Sequence, residues 1–170
     1  MSLIYIMHEV VKMNSNDLSS AIISIVKENE SIEAKDIFST VKQYGIEEVD
    51  FYSLLLELIL QKKIPNILIC FCGHDCSRCT TFIATLRNDN ALRQQVISFY
   101  QTAFNMNLKQ EDIYCLSGHS DTVMEGCKQC PWMSCAKSKN LNACSKCSEY
   151  PCKPLGEYIE IYVNKVNQIM

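Results

Sequence analysis

The residues of this chain that are best suited to chemistry are eleven cysteines, all of which lie between Cys70 and Cys152. An odd number of cysteines cannot pair completely into disulfides, and a reducing cytosol would not maintain such pairs. In that compartment, clustered cysteines bind metal ions or carry out redox reactions. The cysteines therefore predict a metal-binding or redox-active segment over about half of the chain.

Two C-x-x-C motifs are typical of zinc sites: CKQC (127–130) and CSKC (144–147). Each motif fits one tight turn, and two such turns supply the four thiolates of a tetrahedral zinc site. The 13 residues between them are close to the spacing of known zinc modules. Lys128 and Lys146 would offset the charge of the centre. The residues expected to share one zinc ion are Cys127, Cys130, Cys144 and Cys147. The alternative is two unrelated pairs of buried thiols.

A third motif, CGHDCSRC (72–79), adds Cys72, Cys76 and Cys79. Their C-x3-C-x2-C spacing is also that of the [4Fe–4S] loop in radical S-adenosylmethionine enzymes. Those enzymes need a barrel of strand–helix units, whereas only helical patterns follow Cys79 here. We therefore expect these three thiolates to join a fourth ligand from elsewhere. The candidates for that ligand are Cys70, Cys115, Cys135, Cys152, His74 and His119. Since cysteines are in excess, both histidines are expected to be exposed loop residues.

The elements that must position these residues fall into two halves. Residues 1–69 contain no cysteine and carry 10 acidic and 6 basic side chains, whereas residues 70–170 carry 9 and 10. This boundary predicts a helical unit over 1–69 and a cysteine-rich, metal-stapled helical domain over 70–170. The fold class expected for the whole chain is mainly α.

Three helices and a strand are predicted in the first half. The expected boundaries are an N-cap at Asn16 or Asp17, a second helix over 34–44 that stops at Gly45, and a third that opens at Asp50. Apolar residues at helical spacing predict the inward faces: Leu18, Ile22, Ile25, Val26, Ile37, Val41, Tyr44, Phe51, Leu54, Leu55 and Leu58. Alternation then predicts a strand through Ile64, Ile67 and Ile69. This order resembles a winged helix–turn–helix.

DNA is nevertheless a disfavoured partner for this half. A reading helix needs basic and amide side chains for phosphates and base edges. The third helix begins with acidic residues, and Gln61, Lys62 and Lys63 lie only at its end. We expect the N-terminal helices to bind an unknown protein partner or a second copy of the chain.

Helices alternate with cysteine-rich loops in the second half. Two are expected over 80–87 and 91–104, a short one begins at Pro131, and the last opens at Pro154. The stripes expected to face the core are Leu92, Val96, Phe99, Tyr100 and Ala103 in one helix, and Leu155, Tyr158, Ile159, Tyr162, Val163 and Val166 in the last.

From Cys72 to about Tyr158, the chain resembles the family known as domain of unknown function 3795. The matching pieces are CGHDCSRC, LKQEDIYC (108–115), the segment 127–147 and SEYPCKPL (148–155). The resemblance implies a small, cysteine-rich, zinc-binding protein with no assigned reaction. The metal ligands it implies are Cys72, Cys76, Cys79, Cys115, Cys127, Cys130, Cys135, Cys144, Cys147 and Cys152.

Three features depart from the family pattern. One is Trp132-Met133, where the family often has an Ile-Arg pair before the cysteine that matches Cys135. The family usually has a C-x-G-C pair where this chain has CLSG (115–118), so Gly118 stands in place of a second cysteine. His119, which is next to the gap, can substitute as a ligand. Cys70 is additional to the pattern.

The sequence favours a zinc-binding protein in which the metal is mainly structural and the fold is a binding or adaptor module. One alternative is a metal- or redox-responsive regulator with a winged-helix-like N-terminal unit, and another is an iron–sulfur protein that transfers electrons or acts as an enzyme. No phosphate-binding glycine loop, H-E-x-x-H or G-x-S-x-G motif is present. We therefore assign no catalytic residue and do not favour an enzyme.

The location expected from the sequence is the cytoplasm. The segment MSLIYIMHEV lacks the basic flank and cleavage site of a signal peptide. The apolar stretch FYSLLLELIL is much shorter than the roughly 20 residues of a membrane span. We expect no membrane partner.

Overall fold

The computed structural model of the chain describes residues 13–29 and 31–169, and it describes residues 162–169 by their backbone alone. His8 and the stripe residues Tyr162, Val163 and Val166 therefore lie outside the described side chains. In the described part the fold is mainly α, as expected. None of its helices is long and apolar enough to cross a membrane.

Eight α-helices follow one another in the described chain. They are α1 (Ser15–Glu28), α2 (Ala34–Val41), α3 (Glu48–Leu60), α4 (Thr80–Leu86), α5 (Asn90–Phe104), α6 (Glu125–Lys128), α7 (Pro131–Ser138) and α8 (Lys153–Ile169). Single 3-10 turns occur at Lys42–Tyr44, Cys76–Arg78, Gln110–Asp112 and Cys144–Lys146. The chain divides into two compact units, residues 1–65 and 66–170.

The first unit is built on apolar faces of α1, α2 and α3. The buried residues that form its core are Leu18, Ile22, Val26, Ile37, Val41, Phe51, Tyr52, Leu55 and Leu58. The expected residues Ile25, Tyr44 and Leu54 are only half-buried. Gly45 has φ +77°, so it ends the second helical segment in the left-handed conformation that glycine tolerates best. Each large apolar side chain buried here contributes about 1.5–3 kcal/mol.

Two predicted helix starts are corrected. The N-cap of α1 is Asn14 rather than Asn16 or Asp17, because the Asn14 side chain accepts hydrogen bonds from the backbone N–H groups of both of those residues, each at 3.0 Å. Helix α3 begins at Glu48 rather than Asp50, with Glu47 as its N-cap and no side-chain cap. Phe51 N–H bonds to Glu47 C=O at 3.0 Å, so Asp50 lies inside the first turn rather than at its start.

The strand expected through Ile64, Ile67 and Ile69 does not form, and this prediction is wrong. Within residues 13–29 and 31–169, the one isolated β-bridge joins Ile69 to Asp75. Pro65 lacks an N–H group for a ladder, and the Asn66 side chain takes the N–H of Leu68 at 3.0 Å. The wing of a winged helix is therefore missing from this part of the chain.

The second unit packs short helices around connecting loops. Asp89 caps α5 by accepting from the N–H groups of Ala91 and Leu92, and Pro131 lies in the first turn of α7, as expected. Helix α8 starts at Lys153, one residue before the predicted Pro154. Between these helices, loops carry most of the cysteines.

Asn14→Ala should destabilise α1 by about 1 kcal/mol, because it removes the acceptor for two backbone N–H groups. Faster hydrogen exchange in peptides from residues 14–28 would measure the effect. Asn16→Ala is the matched control, since the Asn16 side chain makes no cap. Equal exchange rates in the two variants would contradict the assignment of Asn14 as the cap.

Candidate metal-binding site

A tight loop brings the first cysteines together. Cys70 N–H bonds to the carbonyl of His74 at 2.9 Å, and Cys76 N–H bonds to that of Leu68 at 2.8 Å. Gly73 makes the reversal with φ +89°. As a result, the sulfur atoms of Cys70 and Cys72 lie 3.5 Å apart.

Cys70 and Cys72 both have raised pKa values. A hydrogen bond with Cys72 lowers the pKa of Cys70, but a hydrogen bond with Cys76 and burial outweigh it and raise that pKa to about 12. The pKa of Cys72 is raised by its hydrogen bond with Cys70 and then by burial. Adjacent thiolates without a cation repel one another, so these sulfurs carry protons at neutral pH.

Cys79 differs from its neighbours because it is paired with His74. Burial acts to raise the pKa of Cys79, but a hydrogen bond from the His74 imidazole and N–H groups of the following residues lower it. The same hydrogen bond raises the pKa of His74 against the effect of burial. His74 is exposed, as expected, yet it contacts a predicted ligand.

Cys115 and Cys127 are joined through Met124. Cys115 is buried, its N–H bonds to the Thr85 hydroxyl at 3.0 Å, and its sulfur accepts from the Met124 N–H group. Cys127 N–H in turn bonds to the Met124 carbonyl at 2.8 Å. Although Cys127 is an exposed residue, desolvation raises its pKa to about 12, and the thiolates of Cys115, Cys70, Cys130 and Cys79 add to the increase.

Gly118 lies directly against Cys70. A Cβ atom at position 118 would be 2.5 Å from the Cβ and 3.4 Å from the sulfur of Cys70. Beside it, the His119 ring stacks on Phe71 with ring centroids 4.1 Å apart. The loop 116–120 therefore packs on the loop that carries Cys70, and the space at position 118 is already filled by Cys70.

A different hydrophobic cluster holds Cys130 and Cys144. Both pack against buried Phe71, Met133 and Ala136, and Cys144 N–H bonds to the Phe71 carbonyl at 2.6 Å. The pKa of Cys144 is raised by burial and then by nearby thiolates. Those thiolates are Cys72, Cys152, Cys130 and Cys135.

Cys147 lies beside charged side chains rather than in a hydrophobic cluster. The Lys139 ammonium donates to the Cys147 sulfur at 3.5 Å and to Glu149 at 3.0 Å. The hydrogen bond with Glu149, followed by that with Cys147, raises the pKa of Lys139. Lys128, which was expected to offset a metal centre, instead pairs with Glu125 at 3.2 Å.

The electrostatic effects link the cysteines in two overlapping sets. The first thiol group, around the loop 70–79, is Cys70, Cys72, Cys76, Cys79, Cys115 and Cys127. The second thiol group, around Cys144, is Cys130, Cys135, Cys144 and Cys152, and Cys72 acts on it as well. The two groups meet at two places. The thiolate of Cys72 raises the pKa of Cys144, and the thiolate of Cys130 raises the pKa of Cys127. Among the described residues, no three His, Cys, Asp or Glu side chains stand in the arrangement that holds a metal ion.

Sequence reasoning missed three residues that shape these groups: Phe71, Gly118 in its contact with Cys70, and Lys139. Phe71 could have been suspected, because it is the one large apolar residue between two cysteines of the loop. Nothing in the spacing of Lys139 pointed to Cys147.

Comparison with known proteins gives one result. The model of a family described as "Protein of unknown function (DUF3795)" matches residues 68–157, which confirms the resemblance drawn from the sequence. Neither the curated proteins nor the solved structures include a match.

Gly118→Ala should lower the free energy of unfolding of the second unit by about 1–3 kcal/mol, because the new methyl group overlaps the Cys70 side chain. Urea unfolding followed by fluorescence of Trp132, the single tryptophan, would measure it. Gly126→Ala is the control, since a Cβ there has no atom within 4 Å. Similar midpoints for both variants would contradict the close approach.

Proposed function

The chain belongs to the DUF3795 family, and from this premise we propose that it binds zinc through the thiolates of residues 70–152 and acts as a binding or adaptor module. The metal has a structural role. Zinc, when bound, supplies a cation that replaces the thiol protons and links the loops. The proposed partner is an unknown protein or a second copy of the chain. DNA is disfavoured, since α3 has acidic residues in its first turn and no basic residue in its last turn.

The observation that carries the proposal is the contact between Cys70 and Cys72. Four sulfurs around zinc, each bonded at about 2.3 Å, lie about 3.8 Å from one another. The 3.5 Å separation of these two sulfurs is close to that value. Cys76 interacts with Cys70 as well, so three thiols of the loop are neighbours.

The donor chemistry of the groups fits a soft or borderline cation. Thiolates are the preferred ligands of structural zinc. The pKa values of Cys70 and Cys72 are both raised, and a bound cation would offset the charge that the loss of their protons creates. The side chains of the described residues are not in a closed ligand shell. Binding therefore requires loss of the thiol protons and a small contraction of the loops.

A structural role also fits the weakness of the local packing. Helix α6 has four residues and α7 has eight, whereas isolated helices below about 12–15 residues are marginal in water. The cluster that holds Cys130 and Cys144 contains only three buried residues. Zinc binding can contribute about 10 kcal/mol or more to folding at neutral pH, which this unit would use to order its loops.

Protein purified without oxygen should contain zinc and show no visible absorbance. Elemental analysis per chain, combined with a visible spectrum, tests this outcome. Iron with acid-labile sulfide and a broad visible absorption would contradict it and would favour an iron–sulfur cluster instead. A folded second unit in protein that contains no metal would contradict the proposal.

Chelation of the metal should release the loops of the second unit while leaving the first unit folded. The expected result is a loss of hydrogen-exchange protection over residues 110–152 on treatment with a strong chelator, reversed by added zinc. The peptides of α1 and α3, whose core contains no cysteine, are the internal control. Unchanged protection in both units would contradict a structural role.

A second candidate, a redox-responsive regulator, is favoured by the same Cys70–Cys72 contact. Hydrogen peroxide would oxidise the two thiols to a disulfide: the S–S bond forms, the O–O bond breaks, and the peroxide takes up two protons and two electrons from the thiols to give two molecules of water. Loss of two hydrogen atoms from the intact mass, confined to the peptide with both cysteines and prevented by bound zinc, would support it. Oxidation scattered over many cysteines would not.

A further inference from the structure

The thiol loop, residues 70–74, closes at a narrow base. At this base, Ile69 and Asp75 face each other in an antiparallel bridge. Two backbone hydrogen bonds of 2.9 and 2.8 Å flank the bridge, one on each side. Cys70 and Cys72 both lie in the loop, so the geometry of the base affects how closely their sulfur atoms approach.

The bridge by itself is a weak closure for the thiol loop. Within the described residues it is isolated and belongs to no longer strand pairing. Two backbone hydrogen bonds contribute little net stability in water, and even an isolated hairpin of two strands is only marginally stable. Side-chain contacts must therefore help to keep the base closed if the sulfurs of Cys70 and Cys72 are to stay 3.5 Å apart.

Three hydrogen bonds converge on one carboxylate oxygen at the base, Oδ1 of Asp75. This oxygen accepts from the side-chain amide of Asn66 at 2.9 Å. It also accepts from the backbone N–H of Ser77 at 2.9 Å and from the Ser77 hydroxyl at 2.6 Å. Asn66 precedes the thiol loop and is itself fixed, because its side-chain oxygen accepts from Leu68 N–H at 3.0 Å. Since Ser77 follows the loop, the carboxylate ties both ends of the base together.

From this arrangement we propose that Asp75 is a positioning residue for the pair of Cys70 and Cys72. Its carboxylate holds the base of the thiol loop closed, and the closed base keeps the two sulfurs together before any ligand or oxidant arrives. Hydrogen bonds to a charged acceptor are roughly twice as strong as those between neutral groups, which suits this task. The inference rests on the proposed function, because both use the contact between Cys70 and Cys72, but it assigns no set of metal ligands.

A narrower role for Asp75 is that of an N-cap. Its bond from Ser77 N–H caps the 3-10 turn Cys76–Arg78, and a cap needs no contact with Asn66. The bond from Asn66 joins residues nine positions apart and belongs only to the positioning role. Substitutions at Asn66 therefore separate the two roles.

The first test measures how readily Cys70 and Cys72 form a disulfide in metal-free protein. In glutathione buffers, the protein S–S bond forms, the S–S bond of oxidised glutathione breaks, and the two thiol hydrogens pass to two glutathione thiols. Alkylation and fragmentation of the tryptic peptide 64–78 give the equilibrium constant. Asp75→Ala should lower this constant about tenfold, the effect of losing one hydrogen bond to a charged group, because the opened loop must be ordered again when the disulfide forms.

The second test exchanges the donor and the acceptor across the base. Asn66→Asp keeps the oxygen that accepts from Leu68 N–H but places a carboxylate where an amide donated to Asp75, so it should lower the constant as well. Adding Asp75→Asn to that variant restores one donor and one acceptor across the base and should recover most of the loss. Asp121→Asn, which removes an exposed carboxylate from another loop, is the control and should leave the constant unchanged.

Equal constants for Asn66→Asp and the unmodified chain would overturn the inference, and a loss confined to Asp75→Ala would leave Asp75 as a cap alone. If Asp75→Ala does not fold, Asn66→Asp and its double variant decide the question. Zinc content measured on the same proteins tests the proposed function separately. Zinc bound by every variant, with equal glutathione constants, would contradict the positioning role and leave zinc binding intact. Unmodified protein that binds no zinc would contradict the proposed function, while the glutathione constants would still decide the role of Asp75.

Discussion

Phe71 holds the cysteine-rich unit together, because it contacts the loops on either side of the thiols. Its carbonyl accepts from Cys144 N–H at 2.6 Å, its ring stacks on His119, and it is itself buried with Met133 and Ala136. Since Phe71 stands between Cys70 and Cys72 in the chain, its burial fixes the backbone from which both cysteine side chains extend. An apolar side chain thus helps to position two thiols.

The two units illustrate different ways of stabilising a small fold. The first buries nine large apolar or aromatic side chains from three helices, which contribute a favourable transfer free energy in proportion to their area. In the second unit, long loops must lose conformational entropy of about 1–2 kcal/mol per residue. Their apolar clusters are small, so groups of cysteines occupy positions that a larger core would fill.

The sequence predicts well what local physics decides. The helical class, the stop at Gly45 and the start of α7 at Pro131 follow from periodicity and backbone preference, and the structure agrees. The N-cap was misassigned because Asn14, Asn16 and Asp17 all suit a cap, and only the hydrogen bonds distinguish them. The prediction of a strand was wrong because the alternation of apolar residues takes no account of the N–H group that Pro65 lacks. In the described residues, this segment pairs through a single bridge.

The grouping of the cysteines could not be read from spacing in the same way. The spacing of cysteines indicates which thiols can share a turn. Which turns lie next to each other depends on contacts between residues far apart in sequence, such as Phe71 with Cys144 and Thr85 with Cys115. Lys139 is a further example, because its role depends on the placement of Glu149 and Cys147 after a tight turn.

The contact between Gly118 and Cys70 has a consequence for how such a chain can evolve. The two positions share room for a single side chain, since a Cβ at 118 would lie 2.5 Å from that of Cys70. A cysteine at 118, which the resemblance to the family leads us to expect there, would therefore compete for one space with the cysteine at 70. Moving the cysteine from 70 to 118 would deliver a sulfur to this space from the neighbouring loop, so a side chain at 118 should be tolerated best where residue 70 is small.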